Sequence, residues 1–105
     1  MLESQIEEWL NKKIKEIGGL SFKWVSPGNP GVPDRIYVFP NNQVYFVELK
    51  TESGRLSNIQ KWQRQRLKDL GVNYRLVKGM QEAKEFVKEL KDEVYTPQLS
   101  EVRNQ

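Results

Sequence analysis

Arg35-Ile36-Tyr37-Val38-Phe39-Pro40-Asn41-Asn42-Gln43-Val44-Tyr45-Phe46-Val47-Glu48-Leu49-Lys50 decides the fold of this chain. After Arg35 come four apolar, mostly β-branched or aromatic residues, the composition of a strand. Pro40-Asn41-Asn42-Gln43 carries turn chemistry, and Val44 to Lys50 runs back alongside as the second arm of a β-hairpin. Period-two alternation places Glu48 and Lys50 on one face of that second strand and Leu49 on the other. The arms are of similar length, so antiparallel pairing returns Lys50 to the neighbourhood of Asp34, the residue just before the first arm. Two carboxylates and one ammonium therefore meet at the open end of the hairpin. Buried carboxylates need a partner, and one lysine is only part of one. A divalent cation would complete the charge balance.

Outward from the hairpin, the chain reads as one domain. Leu2, Ile6, Trp9, Leu10, Ile14 and Ile17 recur at three- and four-residue spacing and predict an amphipathic helix over Leu2 to Ile17, ended by Gly18-Gly19. Leu20 to Val25 predicts a strand. Ser26 to Pro33 is a loop with three prolines and two glycines, exposed by composition, and it delivers the chain directly to Asp34. After the hairpin, Ser57 is placed to N-cap a helix over Asn58 to Leu70, stopped at Gly71. Val72 to Val77 predicts a fourth strand and Met80 to Val94 a last helix. Pro97 marks the end of regular structure, and residues 96–105 form a polar tail with little reason to be ordered. The order is α-β-β-β-α-β-α. Because a crossover helix precedes the last strand, that strand should lie parallel to the Glu48 strand in a mixed sheet. The fold class is α/β, with residues 1–95 as a single domain.

Composition narrows the chemistry. The 105 residues suffice for one compact domain with a modest core, and 30% of them are charged with a net charge of only +3. Such a balance weakly favours an anionic partner. There is no cysteine, which excludes disulfides, zinc-thiolate sites and thiol nucleophiles, and no histidine, which removes the commonest general base and transition-metal ligand. A metal site in this chain must be built from oxygen, which points to magnesium or manganese. No apolar run approaches transmembrane length and no signal-peptide pattern opens the sequence, so the expected setting is a reducing cytoplasm without membrane attachment.

Taken apart, Pro33-Asp34 is a common turn dipeptide and Glu48-Leu49-Lys50 a common solvated cross-strand ion pair. Taken together they say more. The Asp ends a Gly/Pro loop, the hairpin has the length that joins the two motifs, and Glu48 and Lys50 interrupt a strand otherwise apolar enough to be central. Asp34, Glu48 and the backbone carbonyl of Leu49 are the candidate ligands. Lys50 is the candidate to orient or deprotonate an attacking water, or to stabilise a pentacovalent phosphate. Hydrolysis of a phosphodiester on this plan needs no histidine.

At this point the chain resembles a known family. Gly31-Val32-Pro33-Asp34, Glu48-Leu49-Lys50 and Gly54-Arg55-Leu56-Ser57-Asn58-Ile59-Gln60 are similar to the stand-alone VRR-NUC (virus-type replication-repair nuclease) branch of the PD-(D/E)XK superfamily. The opening helix, Gly18-Gly19, Phe22-Lys23 and Ser26-Pro27-Gly28 are similar too, so the resemblance covers residues 3 to 90. It implies a restriction-endonuclease-like core and magnesium- or manganese-dependent cleavage of DNA with no small-molecule cofactor. It assigns metal binding to Asp34 and Glu48, catalysis to Lys50 and a place in the site to Gln60, with Gln63 as a lesser claimant. It also implies a first-helix glutamate near the metal. Glu3 and Glu7 compete for that place, one turn apart, and Glu7 is preferred because Ile6-Glu7 and its distance to Gly18 look most like related junction-resolving nucleases. The basic stretch in the family's name is only partly kept in Asn73-Tyr74-Arg75-Leu76-Val77, which leaves Arg75 without an assigned role.

Lys61, Arg64, Arg66 and Lys68 face one acid, Asp69, on the helix after Glu48, and with Arg55 they form the densest positive stretch of the chain. Most charged helix faces are merely solvated; beside a nuclease site, DNA contact through phosphates takes precedence, with Arg55, Lys61, Arg64 and Lys68 as the expected contacts. Trp9 and Trp62 read as core or subunit-interface residues. Cutting both strands, or a four-way junction, needs two sites and hence a symmetric dimer. Stand-alone members of the family are associated with dimers that resolve Holliday junctions, and the resemblance implies the same here. The alternatives are a nuclease of the same chemistry preferring flap or plain duplex DNA, and a catalytically silent DNA-binding module of the same fold.

Overall fold

The computed structural model describes residues 1–40 and 42–104, with side chains described through residue 93. The elements follow in the expected order: α1 (Glu3–Glu16), β1 (Leu20–Lys23), β2 (Arg35–Phe39), β3 (Gln43–Lys50), α2 (Asn58–Asp69), β4 (Asn73–Lys78) and α3 (Gly79–Asn104). The sheet order is β1-β2-β3-β4. β1–β2 and β2–β3 are antiparallel, and β4 joins β3 in parallel after the α2 crossover. The last helix does not stop at Val94, and Pro97 does not end regular structure: the backbone of α3 continues helical to Asn104. Side chains beyond residue 93 lie outside the described residues.

Register is what positions the site. Arg35 pairs with Val47, so Asp34 falls opposite Glu48 on the same sheet face. Asn41, in the turn, lies outside the described residues; Asn42 takes φ 63, a conformation asparagine tolerates better than most residues. β1 stops at Lys23, two residues short of the expected strand, although the Trp24 N–H still donates to the Asp34 carbonyl at 2.9 Å.

The core lies on one face of the sheet. Ile6, Leu10 and Ile14 from α1 and Ala83, Phe86, Val87 and Leu90 from α3 close over Tyr37, Phe39, Val47, Leu49 and Val77. At roughly 1.5–3 kcal/mol for each large buried apolar side chain, this layer supplies most of the drive to fold. Arg75 belongs to its rim: the guanidinium stacks on Phe86 and binds Glu89 through two hydrogen bonds of 2.6 and 3.0 Å. That gives Arg75 a structural role.

The other face is only half covered. α2 packs on β4, and the Arg64 guanidinium lies 5.6 Å from the Tyr74 ring. The rows Leu20–Val38–Val44 and Phe22–Ile36–Phe46 continue across that face. Leu20 is 59% exposed and Phe22 52%. Trp9 packs against the core as expected, whereas Trp62 does not: it is exposed, and the Arg66 guanidinium stacks over it at 4.4 Å. That removes the core reading of Trp62.

Candidate metal centre

Three elements end at one point. α1 begins at Glu3, the Gly/Pro loop ends at Asp34, and β3 nears its C-terminal end at Glu48. One carboxylate oxygen from each of the three lies within 4.8 Å of the others. Asp34 is fixed by its surroundings: its Oδ2 accepts the Leu49 N–H at 2.8 Å. A strand residue directs its N–H and C=O to the same edge, so the Leu49 carbonyl also faces the Asp34 side, just ahead of the start of β2.

Glu48 is only 1% exposed. Its carboxyl is pushed up to about 9, first by burial, then by the proton it shares with Asp34 and by Asp34's charge, with Lys50 pulling the other way. Glu3 is also raised above the ordinary carboxylate value, by burial and then by Asp34, again against Lys50. Lys50 thus acts on two of the three acids while taking part in no salt bridge among the described residues. The Tyr74 hydroxyl, pushed up to about 12 by burial and then by the Glu48 carboxylate, closes the side toward Arg64. Three carboxylates this close resist simultaneous ionisation unless a cation joins them. The donor set is all oxygen and one member is fully buried. That fits a hard divalent ion of the magnesium or manganese type.

The geometry reverses the order of the two helix glutamates. Glu3 joins the cluster; Glu7, the preferred residue, turns to Arg35 with 3.6 Å between Oε2 and the guanidinium. Arg35 points to the core face because its partner Val47 does, and it draws Glu7 there. Removing that partner should be felt: Glu7→Ala leaves a largely buried guanidinium whose Nε already has no partner. The expected cost is about 1–3 kcal/mol in a denaturant titration of the metal-free protein, with metal affinity unchanged.

Gln60 is spent differently from the expectation. Its side-chain oxygen accepts the Ser57 N–H at 2.9 Å while its own N–H bonds Ser57 Oγ at 3.3 Å, a capping box at the start of α2. Only its NH2 group remains for a substrate. Lys61 and Lys68 are exposed on α2, Arg64 is half-buried against Tyr74, and Arg55 is exposed in the connection before α2. Gln63 is buried behind the loop, its amide bonded to the Pro30 carbonyl.

Comparison with known proteins agrees with this architecture. The family model of the VRR-NUC domain matches residues 2–81. A protein described as "Putative nuclease p44", from Acyrthosiphon pisum secondary endosymbiont phage 1, is 41% identical over 69 residues, which is 66% of this chain and 74% of that protein. A solved structure described as a VRR_NUC domain superposes with a TM-score of 0.73 at 23% identity, covering 89% of this chain and 97% of that one. At that identity the structural likeness concerns the fold alone.

Proposed function

This chain belongs to the VRR-NUC domain family, and from that premise we propose that it is a divalent-metal-dependent DNA endonuclease, acting as a homodimer on branched DNA such as four-way junctions. The observation that carries the chemistry is the convergence of Glu3, Asp34 and Glu48 within 4.8 Å beside Lys50. Those three carboxylates and the Leu49 carbonyl would hold magnesium or manganese. When bound, such an ion supplies a Lewis acid for the scissile phosphate and lowers the pKa of nearby water.

The protein's own groups do the rest. Lys50 faces the cluster and is free to hold the attacking water or the charge that develops on the phosphate. Arg64, steadied on Tyr74, and the exposed Lys61 and Lys68 form a positive helix face that would grip the backbone without reading sequence. The homodimer is favoured by the uncovered apolar rows that include Leu20 and Phe22, which would be covered by the same face of a second copy. Phe22→Glu is expected to leave the fold intact and to shift the protein to a monomer in sedimentation. Paired incision of a junction should be lost while nicking of single strands remains.

Metal uptake should also be linked to protons. Glu48 holds its proton up to about pH 9 in the metal-free protein, and a ligand must be ionised. Affinity for Mn2+ is therefore expected to rise with pH through neutrality and level off near 9. Calorimetry at pH 7 in buffers of different ionisation enthalpy should show proton release on binding.

The activity itself is tested with matched labelled four-way-junction, flap, single-stranded and duplex DNA in magnesium, manganese or chelator. Metal-dependent cuts in opposed strands of the junction are expected. Stronger cutting of flap or duplex would replace the junction as substrate. Salt-sensitive binding without cutting in any metal would leave only a silent DNA-binding module.

A further inference from the structure

The one buried residue of α2 is a glutamine. Helices that pack on sheets do so through an apolar stripe, yet here Ile59 and Trp62 stay exposed, Leu67 is only half-buried, and Gln63, 6% exposed, is the most deeply placed side chain. A buried amide is costly unless it is bonded. The Gln63 amide nitrogen donates to the Pro30 carbonyl at 3.1 Å, and its oxygen accepts from Arg66 at 3.3 Å. The next residue, Gly31, has φ +85 and lies so close to α2 that a Cβ there would stand 2.8 Å from the Ile59 carbonyl oxygen. The loop is thus seated on the helix at two successive residues, three and four positions before Asp34.

That stretch has few other means of holding its shape. Pro27, Pro30 and Pro33 have no N–H to donate. The loop's own hydrogen bonds among the described residues join Asn29 to Ser26, at its far half. The half leading to Asp34 relies on the Gln63 bond, on the Gly31 contact and on the burial of Pro33.

Resting on the reading of Asp34 as a metal ligand, we propose that Gln63 is a positioning residue: through Pro30 it fixes the Gly31–Pro33 segment and so aims the Asp34 carboxylate. Asp34 then stands at a joint held on three sides, by Gln63 through the loop, by the Trp24 N–H on its carbonyl, and by the Leu49 N–H on its carboxylate. Partners of this kind behind a ligand are commonly worth 10–100-fold in metal affinity.

The test uses Gln63→Met, which keeps length and volume but neither donates nor accepts, and Gln63→Glu, which keeps the acceptor for Arg66 and, once ionised, has no donor for Pro30. In the metal-free protein the Leu49 amide is expected to lose about tenfold in exchange protection in both variants, while the Val77 amide is unchanged. Mn2+ affinity should fall about 10–100-fold. Val87→Ala, a core truncation remote from the loop, controls for general loss of stability and should change neither reading. Leu49 protection and Mn2+ affinity within twofold of wild type in Gln63→Met would overturn the proposal. So would a Gln63→Glu variant that behaves as wild type, or a Val87→Ala variant that reproduces both losses. The metal reading fails separately if the wild-type protein binds no Mn2+ that Asp34→Asn abolishes; the positioning role fails separately if it does and the Gln63 variants match it.

Discussion

Lys50→Ala is expected to lower DNA cleavage by roughly 10²–10⁴-fold, the range for removal of a positioned acid–base or charge-stabilising group, while Mn2+ and DNA binding persist. The expectation comes from where the ammonium sits. Its charge lowers both Glu48 and Glu3, so it faces the cluster, and it is tied up in no salt bridge among the described residues. A half-buried side chain at the end of β3 with no such partner contributes little to stability. The loss should therefore appear in the single-turnover rate and not in the melting temperature. Lys50→Arg separates the two roles left open for the residue. If a positive charge near the phosphate is all that matters, arginine restores part of the rate; if the group must move a proton, arginine fails, because it does not deprotonate.

Glu48→Gln carries the second large effect, with opposite signs for activity and stability. Cleavage and Mn2+ binding should both vanish, because a neutral amide replaces the buried carboxylate ligand. The metal-free variant should nevertheless be more stable than wild type above neutral pH. Glu48 titrates at about 9 in the folded chain and near 4.5 when unfolded. Between those values the folded state binds more protons than the unfolded one, so wild-type stability falls as pH rises from about 4.5 and levels off near 9. The glutamine variant has no such group and lacks that fall. At pH 8 its melting temperature is expected to exceed that of the wild type by at least about 4 °C, the shift that accompanies about 1 kcal/mol in a domain of this size. Saturating Mn2+ should reverse the order, since it stabilises only the chain that binds it, by about 2.7 kcal/mol at a hundredfold excess over Kd. Parallel pH dependence of the two metal-free proteins would contradict the placement of Glu48.

How much of this was legible in the sequence depends on distance along the chain. Strand arms of matched length and a two-residue period carry the hairpin, so the meeting of Asp34 with Glu48 and Lys50 and the parallel β4 followed from local pattern, while the pairing that sets Asp34 opposite Glu48 and not Lys50 came only with the register. The choice between Glu3 and Glu7 was not in the local pattern either. It turns on Arg35, far from Glu7 in sequence and brought to the core face by its pairing with Val47, and helical periodicity has no term for that. Gln60 had a readable signal that pointed elsewhere: Ser57 followed by Gln60 is the spacing of a capping box, and the cap takes the side-chain oxygen. Gln63, a lesser claimant only through the family resemblance, had no local signal for its burial, because its partner is a backbone carbonyl in a loop whose path no local pattern describes. The uncovered sheet face was half visible. Leu20 and Phe22 alternate with polar Ser21 and Lys23 as though they pointed inward, and only the position of α2 over β4 leaves them exposed.

The most direct test of the metal centre is anomalous diffraction from crystals grown or soaked with Mn2+. A manganese peak bounded by the carboxylates of Glu3, Asp34 and Glu48, with the Leu49 carbonyl in its coordination shell and Glu7 still on Arg35, is the expected result. Manganese bound elsewhere, or held through Glu7 with Glu3 in solvent, would contradict it.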